Sequence, residues 1–115
     1  MRKTDKKIDN QLRLVLTDVC EMALKEIGGF QWLTHVVNYA NLPNSLKVVC
    51  VFDTNTNLAF FMSHISKSEL SCLIDQKLQQ VGITLKNVGD HIVYDTQQNC
   101  EKDHHGKWAD RLANG

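Results

Sequence analysis

The stretch LKVVCVFDTN, residues 46–55, decides the expected fold. Its first seven residues are nearly all apolar, which is typical of a strand that is covered on both faces and therefore central in a sheet. A segment with turn chemistry, residues 41–45, precedes it. Before that turn, residues 30–40 are rich in aromatic and β-branched side chains, which favours a second strand. We therefore expect a hairpin at the centre of the fold.

Two amphipathic helices are expected around this hairpin. Apolar residues recur at steps of three and four over residues 5–27, and Thr4 can cap the helix that this spacing predicts. Ser66 and Glu69 form a capping box for a second helix, which should stop at Gly82. The apolar faces of these helices can cover one face of a small sheet.

The remaining segments complete the predicted order of elements. Residues 91–94 have the character of a later strand, whereas the conformations of residues 54–65 and 83–90 stay open. Residues 97–115 form a polar C-terminal tail. The pattern predicts one α+β domain over residues 1–115, with the order α-β-β-α-β, a small, mainly antiparallel sheet and two helices packed on one face.

Composition excludes several classes of protein. The apolar fraction is 43%, the charged fraction is 23%, and thirteen basic residues balance thirteen acidic ones. Such a chain has no overall field that would attract nucleic acid or an anionic membrane. We find no signal peptide and no apolar stretch of spanning length, so we expect a cytoplasmic protein without membrane contact.

The cysteines carry little functional signal. They are spread at wide intervals without a C-x-x-C pair, which disfavours both a disulfide framework and a zinc finger. The four are Cys20, Cys50, Cys72 and Cys100. We predict no cofactor.

An internal echo relates the ends of two expected strands. Residues 51–55, VFDTN, resemble residues 93–97, VYDTQ. If the helix between them is a crossover, the strands run parallel and Asp53 and Asp95 emerge at the same sheet edge. Two adjacent carboxylates there could bind a divalent metal such as Mg²⁺. The alternative reading is ordinary capping and turn chemistry after a strand.

A second group of potential metal ligands lies in the tail. Cys100, His104 and His105 carry thiolate and imidazole groups of the kind that bind zinc. A four-ligand site would need a further donor from elsewhere, and adjacent histidines seldom point at one ion. A solvated polar loop is the alternative interpretation.

The N-terminal end is basic. Residues 1–14 contain five basic residues and two acidic ones. This excess of positive charge suggests contact with a polyanion or an acidic partner surface, or simply a solvated end. The basic residues are Arg2, Lys3, Lys6, Lys7 and Arg13.

Trp108 and Leu112 can act together in the tail. Four residues apart on a helix, they can cover one apolar groove, either on the same chain or on a second copy in a homodimer. We expect docking on the same chain, because tails without anchors normally stay polar.

Four strings carry a resemblance to a known family: MRKTDKKIDNQLRLVLTDVCEMALKEI, FQWLTHVVNY, SLKVVCVFDTN and GKWADRL. Over nearly its whole length the chain resembles a family of short uncharacterised gammaproteobacterial proteins, some of which are labelled Fis-family transcriptional regulators. The resemblance implies a bacterial cytosolic protein. Fis-type DNA reading needs a basic C-terminal recognition helix, whereas residues 83–115 contain four basic and five acidic residues.

The sequence thus favours a small binding or regulatory module, which acts through contacts with a protein partner or with itself, over an enzyme. One alternative is a divalent-metal-dependent hydrolase that uses Asp53 and Asp95. The other is local nucleic-acid binding through the basic N-terminal helix, as the transcriptional label suggests.

Overall fold

The computed structural model describes residues 2–114 and contains three strands and five α-helices over that range. The elements in chain order are α1 (Lys3–Glu26), β1 (Phe30–Val36), β2 (Lys47–Phe52), α2 (Asn55–Met62), α3 (Ser66–Gln80), β3 (Ile92–Thr96), α4 (Gln97–His104) and α5 (Trp108–Asn114). Two short 3-10 turns, Tyr39–Asn41 and Val88–His91, precede β2 and β3.

The sheet has the strand order β1-β2-β3 and is mixed. β1 and β2 form the expected antiparallel hairpin, with Thr34 opposite Val49. β2 and β3 run parallel, with Val93 on the other side of Val49. The sheet is mixed because α2 and α3 form a crossover that returns the chain to the same end of the sheet.

One face of the sheet carries the hydrophobic core. Every second residue of β2 points into it, namely Val48, Cys50 and Phe52, all of them fully buried. Opposite these residues lie the apolar stripes of two helices. The stripes consist of Leu12, Val15, Leu16, Val19 and Ala23 from α1 and Leu70, Ile74 and Leu78 from α3.

The α+β class is confirmed, but the prediction of a mainly antiparallel sheet holds only for β1 and β2. Residues 55–62, whose conformation the sequence left open, form α2, capped by the Thr54 hydroxyl, which accepts the N–H of Asn57. The predicted caps at Thr4 and Ser66 are wrong. Both residues lie inside their helices, because α1 begins at Lys3 and α3 begins at Ser66 itself.

The tail is more ordered than its polarity suggests, because residues 97–104 and 108–114 are helical. A left-handed turn at His105 and Gly106 separates these two helices. Within residues 2–114, no helix is both long and apolar enough to cross a bilayer.

Candidate functional site

The second face of the sheet is the surface that the core leaves free. The alternation of β2 sends Lys47, Val49 and Val51 to this face. Their neighbours on β1 are Val36, Thr34 and Trp32, and their neighbours on β3 are Val93 and Asp95. The second face is therefore apolar along its centre and has a cationic side chain at one end.

The two C-terminal helices cover one end of this face. The indole of Trp108 meets that of Trp32 edge to face, with ring centroids 4.9 Å apart, and its Nε1–H donates to Gln97. The guanidinium of Arg111 binds both carboxylate oxygens of Asp95. An aromatic pair and an ion pair thus fix α5 across the ends of β1 and β3.

The other end of the second face is open and forms a groove of about 670 Å³. Val36 and Val93 are 43% and 40% exposed on either side of Val49, which is itself buried. Leu112 of α5 forms one wall and Lys47 stands at the rim. We call this surface the valine groove, defined by Val36, Lys47, Val49, Val93 and Leu112.

Apart from Lys47, polar groups at both ends of the groove are hydrogen-bonded within the chain. The Ser45 hydroxyl donates to the carbonyl of Asn38 over 2.8 Å. At the opposite end, Arg111 also contacts Asp103, at 3.2 Å. The hydrogen bonds from Arg111 to Asp95 are the main reason that the pKa of Arg111 lies above its ordinary value. These groups hold one another and give the groove its shape.

Asp53 and Asp95 follow neighbouring parallel strands, but each carboxylate has its own partners. Asp95 is opposite Val51, so Asp53 lies two positions further along and their Cα atoms are roughly 8 Å apart by strand geometry. The Asp53 carboxylate accepts from the side-chain amide of Asn57 at 2.9 Å, and this bond lowers its pKa. The backbone of Gly29 fills the adjacent space, since a Cβ there would lie 2.8 Å from Asp53 Oδ1.

The tail residues with zinc-ligand chemistry are separated by their environments. Cys100 is a fully buried residue of α4, and this burial raises the pKa of its thiol. His104 directs Nδ1 toward Arg111, whereas His105 lies exposed in the left-handed turn. Between residues 2 and 114, no three His, Cys, Asp or Glu side chains gather where they could hold a metal ion.

The basic N-terminal residues occupy the start of α1. Arg2, Lys3, Lys6 and Lys7 are exposed there, whereas Arg13 reaches back to Asp9 with its Nε 2.8 Å from Oδ2. Trp108 packs against Trp32 of the same chain, as the expectation of docking on the same chain requires.

A polar cluster that the sequence analysis missed joins α1 to the end of β1. Asp9 accepts hydrogen bonds from the Tyr39 hydroxyl, from His35 Nε2 and from Arg13. The hydrogen bond from Tyr39, followed by that from His35, lowers the pKa of Asp9 to about 2. In the sequence, Asp9 is one of two acidic residues within a basic segment. Nothing near it indicates its role, because its partners lie up to thirty residues away.

The valine groove was also missed, for a different reason. The continuous apolar run of β2 indicated a strand covered on both faces. On the second face, however, the C-terminal helices cover only one end. Comparisons of the chain with protein-family models, with curated proteins and with solved structures found no match.

Proposed function

We propose that this chain is a protein-binding module that receives an apolar segment of a partner protein in the valine groove. The observation that carries the proposal is the pair of half-exposed valines, Val36 and Val93, flanking the buried Val49 on an otherwise ordered sheet face. Apolar surface that is concave and held by rigid elements is typical of binding sites.

The arrangement around the groove supports binding rather than catalysis. Asp95 and Arg111 neutralise each other, and the Ser45 hydroxyl donates to a backbone carbonyl. A nucleophile or a general base would need a lone pair directed toward a substrate, whereas the Asp95 carboxylate is bound by Arg111 and the Ser45 oxygen accepts the N–H of Asn38. Contact with apolar side chains is therefore what the floor of the groove offers.

A partner segment with an apolar anchor fits this surface best. The groove floor consists of β-branched side chains on adjacent strands, which form a firm, shallow surface with little rotamer entropy to lose. Lys47 at the rim can pair with a carboxylate of the incoming segment. The expected ligand is therefore a peptide stretch that carries a bulky apolar residue and a nearby acidic group.

The experiment selects peptides from a display library against the folded chain and maps the selected peptides by ¹H–¹⁵N correlation spectra. We expect enriched apolar anchors and shifted amide signals at Val36, Val49 and Val93. A Val93→Glu variant should bind at least roughly tenfold more weakly, because a charge would be buried against the anchor. Leu14→Glu is the matched control, since Leu14 is 70% exposed on α1, remote from the groove.

Any of three results would overturn the proposal. One is a set of selected peptides whose signals map away from the groove. Another is unchanged affinity in a Val93→Glu variant that circular dichroism shows to be folded. A library that yields no binder above the level seen with the Val93→Glu variant counts against it in the same way.

The two other hypotheses have less support. A divalent-metal hydrolase would need Asp53 and Asp95 free, and their carboxylates are bound by Asn57 and Arg111. Nucleic-acid binding through the start of α1 would rest only on exposed basic side chains, namely those of Arg2, Lys3, Lys6 and Lys7. It predicts affinity that falls steeply with salt, and absent or salt-independent binding would exclude it.

A further inference from the structure

Within residues 2–114, one edge of β1 has no partner strand. The strand order β1-β2-β3 leaves β1 at the outside of the sheet, and with seven residues, Phe30–Val36, it is the longest strand described. It contains no Asp, Glu, Lys, Arg or Pro, the residues that usually block edge pairing. A bulge interrupts only its beginning, between Phe30 and Trp32, so the remaining residues keep a regular register. This edge is a competent template for another strand.

A flank of α1 runs beside this edge. The cleft between the helix and the strand measures about 530 Å³. Its helical wall includes Arg13, Thr17 and Glu21, spaced four residues apart on one side of α1, and its strand wall includes Leu33 and Thr34. We call these five residues the β1 flank.

The charges of the β1 flank complement themselves under two-fold symmetry. Arg13 and Glu21 lie equally far from Thr17, roughly 6 Å on either side along the helix axis. A two-fold axis passing Thr17 therefore places Arg13 of each copy opposite Glu21 of the other, so two ion pairs form at once. The same surface on both partners is the property that a symmetric dimer interface requires.

The same axis suits the strand. Leu33 is the middle residue of β1 and lines the same cleft as Thr17. An axis passing both residues pairs the two β1 edges antiparallel and makes one six-stranded sheet across two copies.

The side chains of the flank are available for this contact. Glu21 is exposed, and no ion pair within residues 2–114 involves it. The Arg13 side chain is 71% exposed, and it gives only its Nε to Asp9, so its terminal N–H groups can bind a second carboxylate.

We infer that the chain forms a two-fold homodimer through the β1 flank, in which the β1 edges pair and Arg13 of each copy meets Glu21 of the other. This interface lies at the sheet edge, whereas the valine groove lies on the second face. Loss of one surface therefore leaves the other testable.

The test measures self-association by sedimentation velocity across a concentration series. We expect a dimer for the unaltered chain. Glu21→Arg and Arg13→Glu, each alone, should raise the dissociation constant roughly tenfold or more, because both ion pairs become like-charge pairs. An equimolar mixture of these two variants should recover the dimer, since in the mixed dimer every altered charge faces its opposite.

Controls separate the contact from folding. Lys102→Glu reverses an exposed charge on α4 and should leave association unchanged. Circular dichroism checks each fold, and Glu21→Arg is the safer variant because Arg13→Glu also removes the ion pair with Asp9. A monomer at every concentration, a dimer unaffected by Glu21→Arg, or a mixture of the two variants that stays monomeric would overturn the inference.

Discussion

Arg111 grips Asp95, sixteen residues earlier in the chain, with two hydrogen bonds: Nε lies 2.5 Å from Oδ2 and Nη2 lies 3.0 Å from Oδ1. Both side chains are less than one-fifth exposed. Because the pair spans from α5 to β3, it holds the last helix of the chain on the second face and thereby forms one end of the valine groove.

We expect Arg111→Ala to lower the free energy of unfolding by about 3 kcal/mol, because it leaves the largely buried Asp95 carboxylate without its cation. Arg111→Lys should recover only part of this loss, since an ammonium cannot make the two-pronged contact. Urea unfolding measures both. Lys102→Ala, an exposed change on α4, is the control, and a loss below about 0.5 kcal/mol for Arg111→Ala would mean that solvent screens the pair.

The contact between Trp108 and Trp32 gives a second prediction. Trp108→Ala should cost about 2–3 kcal/mol through the lost ring contact, whereas Trp108→Phe keeps a ring and should cost about 1 kcal/mol for the lost hydrogen bond to Gln97. The chain has two tryptophans, so the fluorescence of either variant reports Trp32 alone. A red-shifted Trp32 emission in Trp108→Ala would show that α5 had covered it, and an unchanged spectrum would contradict this.

Asp9 should make stability depend on pH in the acid range. Its pKa in the folded chain is about 2, mainly because of the hydrogen bond from Tyr39, and the ordinary value is 3.8. A lowered pKa in the folded state contributes stability above the unfolded-state value and loses it as the pH falls through the folded-state value. Asp9→Asn should thus be less stable than the unaltered chain at pH 7, and the gap should close between about pH 4 and pH 2.

Thermal unfolding of both proteins across this range measures the gap. Asp5→Asn serves as the control, because Asp5 lies on the same helix and no described hydrogen bond from a side chain involves it. If the gap for Asp9→Asn stays constant down to pH 2, the carboxylate is not the source of the stability.

Two threonines in equivalent places should differ in their importance. Thr54 and Thr96 both cap helices after parallel strands, but Thr96 is fully buried and also donates to Asn55 Oδ1 at 2.7 Å. We expect Thr96→Val to cost about 2 kcal/mol and Thr54→Val about 1 kcal/mol or less. Chemical denaturation of the two variants side by side compares them, and equal losses would mean that the hydrogen bond to Asn55 contributes nothing.

These two threonines belong to the internal echo, which predicted the direction of the strands correctly but the position of the aspartates wrongly. The likeness of residues 51–55 to residues 93–97 pointed to parallel strands, and β2 and β3 are parallel. The functional interpretation took the aspartates as neighbours, although the register is offset by two positions. A repeat in sequence shows that two segments have similar local chemistry, but hydrogen bonding between strands fixes their register.

The sequence by itself determined the elements whose signal is local. The apolar spacing of α1 and α3 and the run of β2 are each written within one segment, because a helix or strand buries a face set by its own period. The sequence also determined that Asp53 follows a strand and that Trp108 packs against an apolar surface.

Only the tertiary structure decided which surfaces stay open. Asp9 and Arg111 each bind side chains that are distant in the sequence. Val36 and Val93 line one groove because β1 and β3 flank β2 in the sheet. Whether a strand face is covered depends on where other segments end in space. The apolar period of a strand does not show which other segments cover its faces, so the candidate site could not be found from the sequence alone.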